Sequence, residues 1–161
     1  MLIADSMVYI LPAYTANAAP VIFGGGRPLD SGKIYKDGRP ILGSHKTLRG
    51  FIAGIIVGTL VGIGLSFVSE NQSPLLGFIL SLGAIIGDLM GAFLKRRLGL
   101  EPGALLPVVD QIDFVIGAIA FSLPITAPSL NMVLIILILT LPVHFLTNLI
   151  AYFLHLKESP W

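Results

Sequence analysis

Five apolar runs, separated by short polar segments, constrain this chain more than any other feature. They cover approximately residues 2–23, 48–69, 75–94, 108–123 and 130–154. A membrane helix needs about 20 mostly apolar residues, and four of the runs reach that length. The fourth is the shortest, closed by Pro124, with a start as early as Pro107. Only 12% of the residues are charged, against about a quarter in a soluble domain, and the mean hydropathy is +0.89. The pattern predicts an all-α integral membrane protein with about five transmembrane helices. No linker or long repeat divides it, so residues 1–161 read as a single membrane domain.

The basic residues fall in alternate connections. Residues 24–49 hold Arg27, Lys33, Lys36, Arg39, Lys46 and Arg49, the next basic group is Lys95, Arg96 and Arg97, and the tail adds Lys157. The segments 70–74 and 124–129 hold none. Positive residues favour the cytoplasmic side, which puts the N-terminus outside, the C-terminal Trp161 inside, and loops 24–47 and 95–107 in the cytoplasm. Ala16-Asn17-Ala18 resembles a signal cleavage site, but no Lys or Arg precedes the apolar stretch, as a signal peptide requires.

Several chemistries are excluded early. With no cysteine, there are no disulfides, zinc–thiolate sites or thiol nucleophiles. His45, His144 and His155 lack H-E-x-x-H spacing. Gly24-Gly25-Gly26 with Gly32-Lys33 is not a P-loop, because the spacing is wrong and Ile34 replaces Ser or Thr. No G-x-S-x-G occurs. Asn71-Gln72-Ser73 has the form of a glycosylation sequon but abuts Pro74 and the membrane. A net charge of +1 gives no ground for a nucleic-acid partner.

Gly50, Gly54, Gly58 and Gly62 recur every fourth residue, as do Gly83, Gly87 and Gly91. Small residues at that spacing let membrane helices approach closely, so these glycines are read as packing surfaces. Pro142 is expected to kink the fifth helix and free a carbonyl near Ile138.

The polar residues within the helices gather in one membrane half. Asp88 lies seven residues before Lys95, roughly 10 Å into its helix. Asp110 and Asp113 share a face at i,i+3. Asn17, Lys46, Arg49 and Asn148 fall at the same depth, which predicts a polar cavity in the cytoplasmic half. Intramembrane carboxylates are costly and point to function. Oxygen ligands without Cys or clustered His favour Mg²⁺ or Ca²⁺, and Mg²⁺ commonly binds a few carboxylates together with substrate phosphates. Ordinary helix-end salt bridges would use the same residues.

These residues form motifs. Gly87-Asp88-Leu89, then Lys95-Arg96, Leu106-Pro107 and Asp110-Gln111-Ile112-Asp113, resemble the signature of the phosphatidate cytidylyltransferases. Ser44-His45-Lys46-Thr47-Leu48-Arg49-Gly50 is similar to that family's S-x-K-T-x-x-G element. Closer is the archaeal branch, the CDP-archaeol synthases, through Asn17-Ala18-Ala19-Pro20, Pro28-Leu29-Asp30-Ser31-Gly32-Lys33, Asp37-Gly38-Arg39 and Gly43 to Gly50. The resemblance spans nearly the whole chain. Glu101-Pro102 replaces the bacterial Lys-Asp, no His-Gly-Gly precedes Asp110, and Gln111 replaces Arg, so bacterial roles for that loop do not transfer.

The resemblance implies a reaction of CTP with an isoprenoid ether lipid phosphate, 2,3-di-O-geranylgeranyl-sn-glycero-1-phosphate, giving CDP-archaeol and pyrophosphate. Asp88, Asp110 and Asp113 would hold one or two Mg²⁺ ions and, with Lys95, form the catalytic set. Lys46, Thr47, Arg49, Lys95, Arg96, Asn17, Ser44 and His45 would contact substrate. A homodimer stays open. CDP-alcohol phosphotransferases and prenyltransferases do not fit, since Phe114 follows Asp113, no later Asp exists and only one D-x-x-D is present. A small membrane transporter or ion-binding membrane protein is the alternative, but it calls for polar residues through the full depth, and the outer half is apolar.

Overall fold

The computed structural model describes residues 2–101, 104 and 106–157. Pro102 and Trp161, which carry two of the expectations above, lie outside them. Five helices follow in order: α1 (Leu2–Phe23), α2 (Leu48–Ser66), α3 (Pro74–Arg97), α4 (Val109–Ser122) and α5 (Leu130–Phe153). The boundaries have local causes. Thr47 Oγ1 accepts the Gly50 amide, Ser73 the Leu76 amide ahead of Pro74, and Ser129 the Met132 amide; each satisfies a donor that the first turn leaves orphaned.

Two boundaries differ from expectation. The second helix stops at Ser66, because the amides of Phe67, Val68 and Ser69 turn back onto Gly64 and Leu65. The third continues through Lys95, Arg96 and Arg97, whose charges complement the negative end of the helix dipole. Gly99, at φ 81°, closes it: its amide bonds Arg96 O and that of Leu100 bonds Lys95 O, a Schellman cap that needs the left-handed conformation. α5 remains one helix across Pro142.

Helices α1, α2, α3 and α5 are long and apolar enough to cross a membrane. At 14 residues, α4 is about 21 Å long, short of the roughly 30 Å hydrocarbon core. It buries Phe114, Val115 and Ala118 in the bundle, where irregular backbone at its ends is tolerated.

α3 packs against α1, α2 and α4, whereas α5 touches α1 and α4. The glycine rows make these contacts. A Cβ on Gly62 would overlap the Cα of Gly77, one on Gly54 would come within 2.7 Å of Ala16 O, and one on Gly83 within 2.6 Å of Gly117 O. Backbone therefore lies directly on backbone, the arrangement by which dispersion holds helices together in lipid. Two tyrosines pair with hydroxyls across the bundle: Tyr9 Oη lies 2.6 Å from Ser122 Oγ, and Tyr14 Oη 2.8 Å from Thr140 Oγ1. Pro12 leaves Val8 O without its helical donor, and Gln72 Nε2 supplies one at 2.9 Å.

The segment between α1 and α2 is ordered around one carboxylate. Asp30 Oδ1 accepts the Gly32 amide and Oδ2 those of Leu42 and Gly43. Partial burial works against the charged form, but these amides outweigh it and hold Asp30 below the usual carboxylate range. Leu29 N bonds Lys46 O at 2.7 Å and Leu48 N bonds Arg27 O at 3.1 Å, which returns the loop to the start of α2.

Candidate active site

The end of the bundle that carries this loop also carries the charge. Lys46, leaving the loop just before α2, places Nζ 2.6 Å from each carboxylate oxygen of Asp88 on α3. Lys95, a turn from the end of α3, bonds Asp110 Oδ2 at 2.9 Å and Ala104 O at 3.2 Å. The Leu106 amide adds a second bond to Asp110 Oδ2 at 3.0 Å, while Asp110 Oδ1 is buried with no partner among the described residues. Asp113 lies one turn further along α4 and has Asp88, Lys46 and Asp110 as charged neighbours. Its Oδ1 accepts the Phe114 amide at 2.6 Å, and its Oδ2 fills the space that a Cβ on Gly91 would take. Gly91 therefore serves the site as well as helix packing.

The backbone before Asp110 is strained. Val108 has φ 67° and ψ −51°, and the Val109 amide bonds Pro107 O at 2.8 Å, a γ-turn that a β-branched residue rarely enters. The turn starts α4 abruptly and brings the Asp110 carboxylate back to the Leu106 amide. Strain of this kind persists where the surrounding contacts over-determine it.

The expected site residues divide into those the fold gathers and those it does not. Lys46, Asp88, Lys95, Asp110 and Asp113 come together. Arg96 is 97% buried beside Glu101 and Asp110, with Nε and Nη1 unpartnered among the described residues. Ser44 and His45 are exposed on the loop. Thr47 is buried, and its hydroxyl caps α2. Arg49 is exposed in a shallow groove with Phe23, Ile52 and Ile56, because one residue's rotation from Gly50 turns it off the buried glycine face.

The three carboxylates do not form a ready-made metal cage either. Among the described residues, no three His, Asp or Glu side chains stand close enough to hold an ion together, and Lys46 and Lys95 engage Asp88 and Asp110. The donor chemistry still suits Mg²⁺. It offers hard oxygen anions, an unpartnered Asp110 Oδ1 and an Asp113 with no ion pair among the described residues, and Mg²⁺ needs only one or two protein carboxylates beside substrate phosphates.

Arg97 ties the loop to α3. Its guanidinium lies 4.6 Å from the Tyr35 ring centre and 4.8 Å from that of Phe93, donates to Pro40 O, and pairs with Asp37 at 3.0 Å. Arg39 answers by capping Arg97 O at 2.8 Å.

On the far side of α4, a groove of about 270 Å³ runs between α1 and α5. Asn17, another expected contact, lines it with His144 and Asn148, amid Val21, Ile150 and Leu154. His144 stacks on Phe114, with ring centres 6.1 Å apart. Asn148 Nδ2 lies 3.1 Å from His144 Nδ1, and Lys157 Nζ bonds Asn148 Oδ1 at 3.1 Å. His144 and Lys157 were absent from the sequence-derived site. The i,i+4 spacing of His144 and Asn148 is a signal for a shared face; nothing local points to Lys157.

Apolar helices surrounding paired carboxylate and ammonium groups define a polytopic membrane enzyme with its charged site at one end of the bundle. The chain belongs to the CarS-like family, described as CDP-archaeol synthase, whose model matches residues 1–161. It is 49% identical over 156 residues to a CDP-archaeol synthase of Methanopyrus kandleri, covering 95% of this chain and 90% of that one. To the CDP-archaeol synthase of Methanocaldococcus jannaschii it is 46% identical over 173 residues, covering 99% and 98%. A solved structure of an intramembrane enzyme for archaeal membrane lipid biosynthesis superposes with a TM-score of 0.86 at 37% identity, covering 91% of this chain and 94% of that one.

Proposed function

We propose that this chain is a single-domain membrane cytidylyltransferase that joins CTP to 2,3-di-O-geranylgeranyl-sn-glycero-1-phosphate, forming CDP-archaeol and pyrophosphate. The observation that carries the reading is the pairing of Lys46 with Asp88 and Lys95 with Asp110 around Asp113 at one end of an apolar bundle. The reaction forms a bond from a lipid phosphate oxygen to the α-phosphorus of CTP and breaks the α–β phosphoanhydride. A phosphate monoester with a second pKa near 6 is mostly ionised at neutral pH, so the nucleophile needs no strong base. Orientation and charge neutralisation remain as the protein's tasks.

Lys46 and Lys95 supply mobile ammonium groups that can turn from their carboxylates to phosphate oxygens, and buried Arg96 adds a fixed positive field. Asp88 and Asp113, with Asp110 beside them, would hold Mg²⁺, which when bound offsets the charge of the triphosphate and the leaving pyrophosphate. The Arg97–Tyr35–Phe93 stack holds the loop that delivers Lys46. Because CTP is cytosolic and the basic residues cluster here, this end faces the cytoplasm, with the N-terminus outside.

The test is label transfer by purified protein in lipid nanodiscs with Mg²⁺. α-labelled CTP should enter the organic phase only when the lipid phosphate is present, and γ-labelled CTP should not. Absence of α-label in lipid from folded protein overturns the reading.

A further inference from the structure

The groove between α1 and α5 has two chemical ends. Along its length it presents aliphatic side chains, among them Val21, Ile22, Val143 and Ile150, and near α4 it presents Asn17, His144 and Asn148. Such a groove suits a molecule that is hydrocarbon over most of its length and polar at one tip. A nucleoside triphosphate is not that molecule.

The tail brings a cation to the polar end. His155 adopts φ 56°, its amide bonds Tyr152 O, and the Leu156 amide bonds Ala151 O. This is a Schellman turn, and it reverses the chain so that Lys157 runs back along α5 to Asn148, nine residues earlier. Leu154 and Leu156, on either side of the turn, become part of the groove wall. The hydrogen bonds form a directed chain. An ammonium only donates, so Asn148 must present Oδ1 to Lys157, and its amide nitrogen therefore donates to His144 Nδ1, leaving the imidazole proton on Nε2.

Lys157 also faces the charged site. Burial, with Lys46 and Lys95 nearby and Asp110 opposing them, draws it below the ordinary lysine range, a position that an arriving anion would relieve. His144 has Asp110 and Asp88 among its charged neighbours. The polar end of the groove thus adjoins the carboxylates on one side and hydrocarbon on the other.

We infer that the α1–α5 groove seats the chains of a lipid phosphate monoester, and that Lys157, turned back by the tail and held by Asn148, binds its phosphate beside the carboxylate–lysine pairs. This rests on the proposed reaction for the identity of the lipid. The division of labour is specific: Lys46 and Lys95 serve the nucleotide, and Lys157 serves the lipid.

Full-length protein in nanodiscs provides the test, with Lys157→Met, Lys157→Arg and the groove-filling Ala151→Phe. Binding of the diether lipid phosphate without CTP, and of the matching uncharged diether alcohol, is measured alongside the KM for each substrate. Lys157→Met should weaken lipid phosphate binding about tenfold or more, as loss of one charge-assisted hydrogen bond does, and leave alcohol binding and the KM for CTP unchanged. Lys157→Arg should recover most of the loss, and Ala151→Phe should weaken phosphate and alcohol alike. Unchanged lipid phosphate affinity in Lys157→Met, an equal loss for the alcohol, or a rise in the KM for CTP instead would each overturn the assignment. If wild-type protein binds the lipid phosphate in this pattern but transfers no label from CTP, the proposed reaction fails and this site stands. If it transfers label while Lys157→Met keeps its lipid affinity, the site fails and the reaction stands.

Discussion

At the residue scale, the carboxylates differ in what they already touch. Asp88 shares both oxygens with Lys46, Asp110 keeps one buried oxygen unpartnered, and Asp113 sits against Gly91 with no ion pair among the described residues. Asp88→Asn and Asp113→Asn preserve shape and remove charge. Each is expected to lower turnover by at least the roughly 10²–10³-fold typical of losing one preorganised electrostatic group. The double variant should be little worse than either, since groups acting as a unit fail together. Helical content and thermal midpoint should stay near wild type. A folded Asp88→Asn protein with near-normal turnover at limiting Mg²⁺ would defeat the assignment. The G-D-L and D-Q-I-D motifs made these three residues legible, whereas the pairing of Asp88 with Lys46 and of Asp110 with Lys95 was not, because it joins residues 42 and 15 positions apart.

At the element scale, glycines of similar spacing have different duties. A side chain on Gly62 would meet the Gly77 backbone, which cannot yield, while one on Gly91 would meet the end of the Asp113 side chain. Gly62→Ala should therefore destabilise the bundle by about 1–3 kcal/mol, as overpacking does, read as a lower midpoint of thermal unfolding. Gly91→Ala should cost less stability but at least tenfold in turnover, because it displaces a carboxylate that must be held within about half an ångström. Equal losses of stability in both variants would show that Gly91 only packs.

The loop before α2 is an element of its own, organised by Asp30. Its carboxyl is depressed in the folded loop, so its stabilisation is complete above the unfolded value near 3.9 and is lost as pH falls through the lower folded value. At neutral pH, Asp30→Ala should open Lys33 and Lys36 to trypsin and raise the KM for CTP through loss of Lys46 placement. Wild-type resistance to cleavage in that variant would remove Asp30 from this role.

At the scale of the whole molecule, the paired lysines and carboxylates, the loop and the groove mouth occupy one end of the bundle, and the proposed orientation puts that end in the cytoplasm. Single cysteines at Glu70 and Lys36 in this cysteine-free chain should react with an impermeant reagent from opposite sides of sealed vesicles, Glu70 from outside. Labelling of both from the same side would refute the alternation of spans.

The sequence by itself determined the helix count, the helix starts near residues 48, 75 and 130, the glycine packing rows and the positions of the three carboxylates. Each of these rests on local chemistry: hydropathy over one span, a cap within one turn, a motif within a few residues. Tertiary structure alone decided which lysine meets which carboxylate, that Thr47 is buried and Arg49 exposed, and that Lys157 folds back to the groove. Those outcomes depend on the rotation of each helix about its axis and on the path of the tail. In an almost uncharged bundle both are set by backbone-to-backbone packing between distant segments, for which a linear pattern carries little signal.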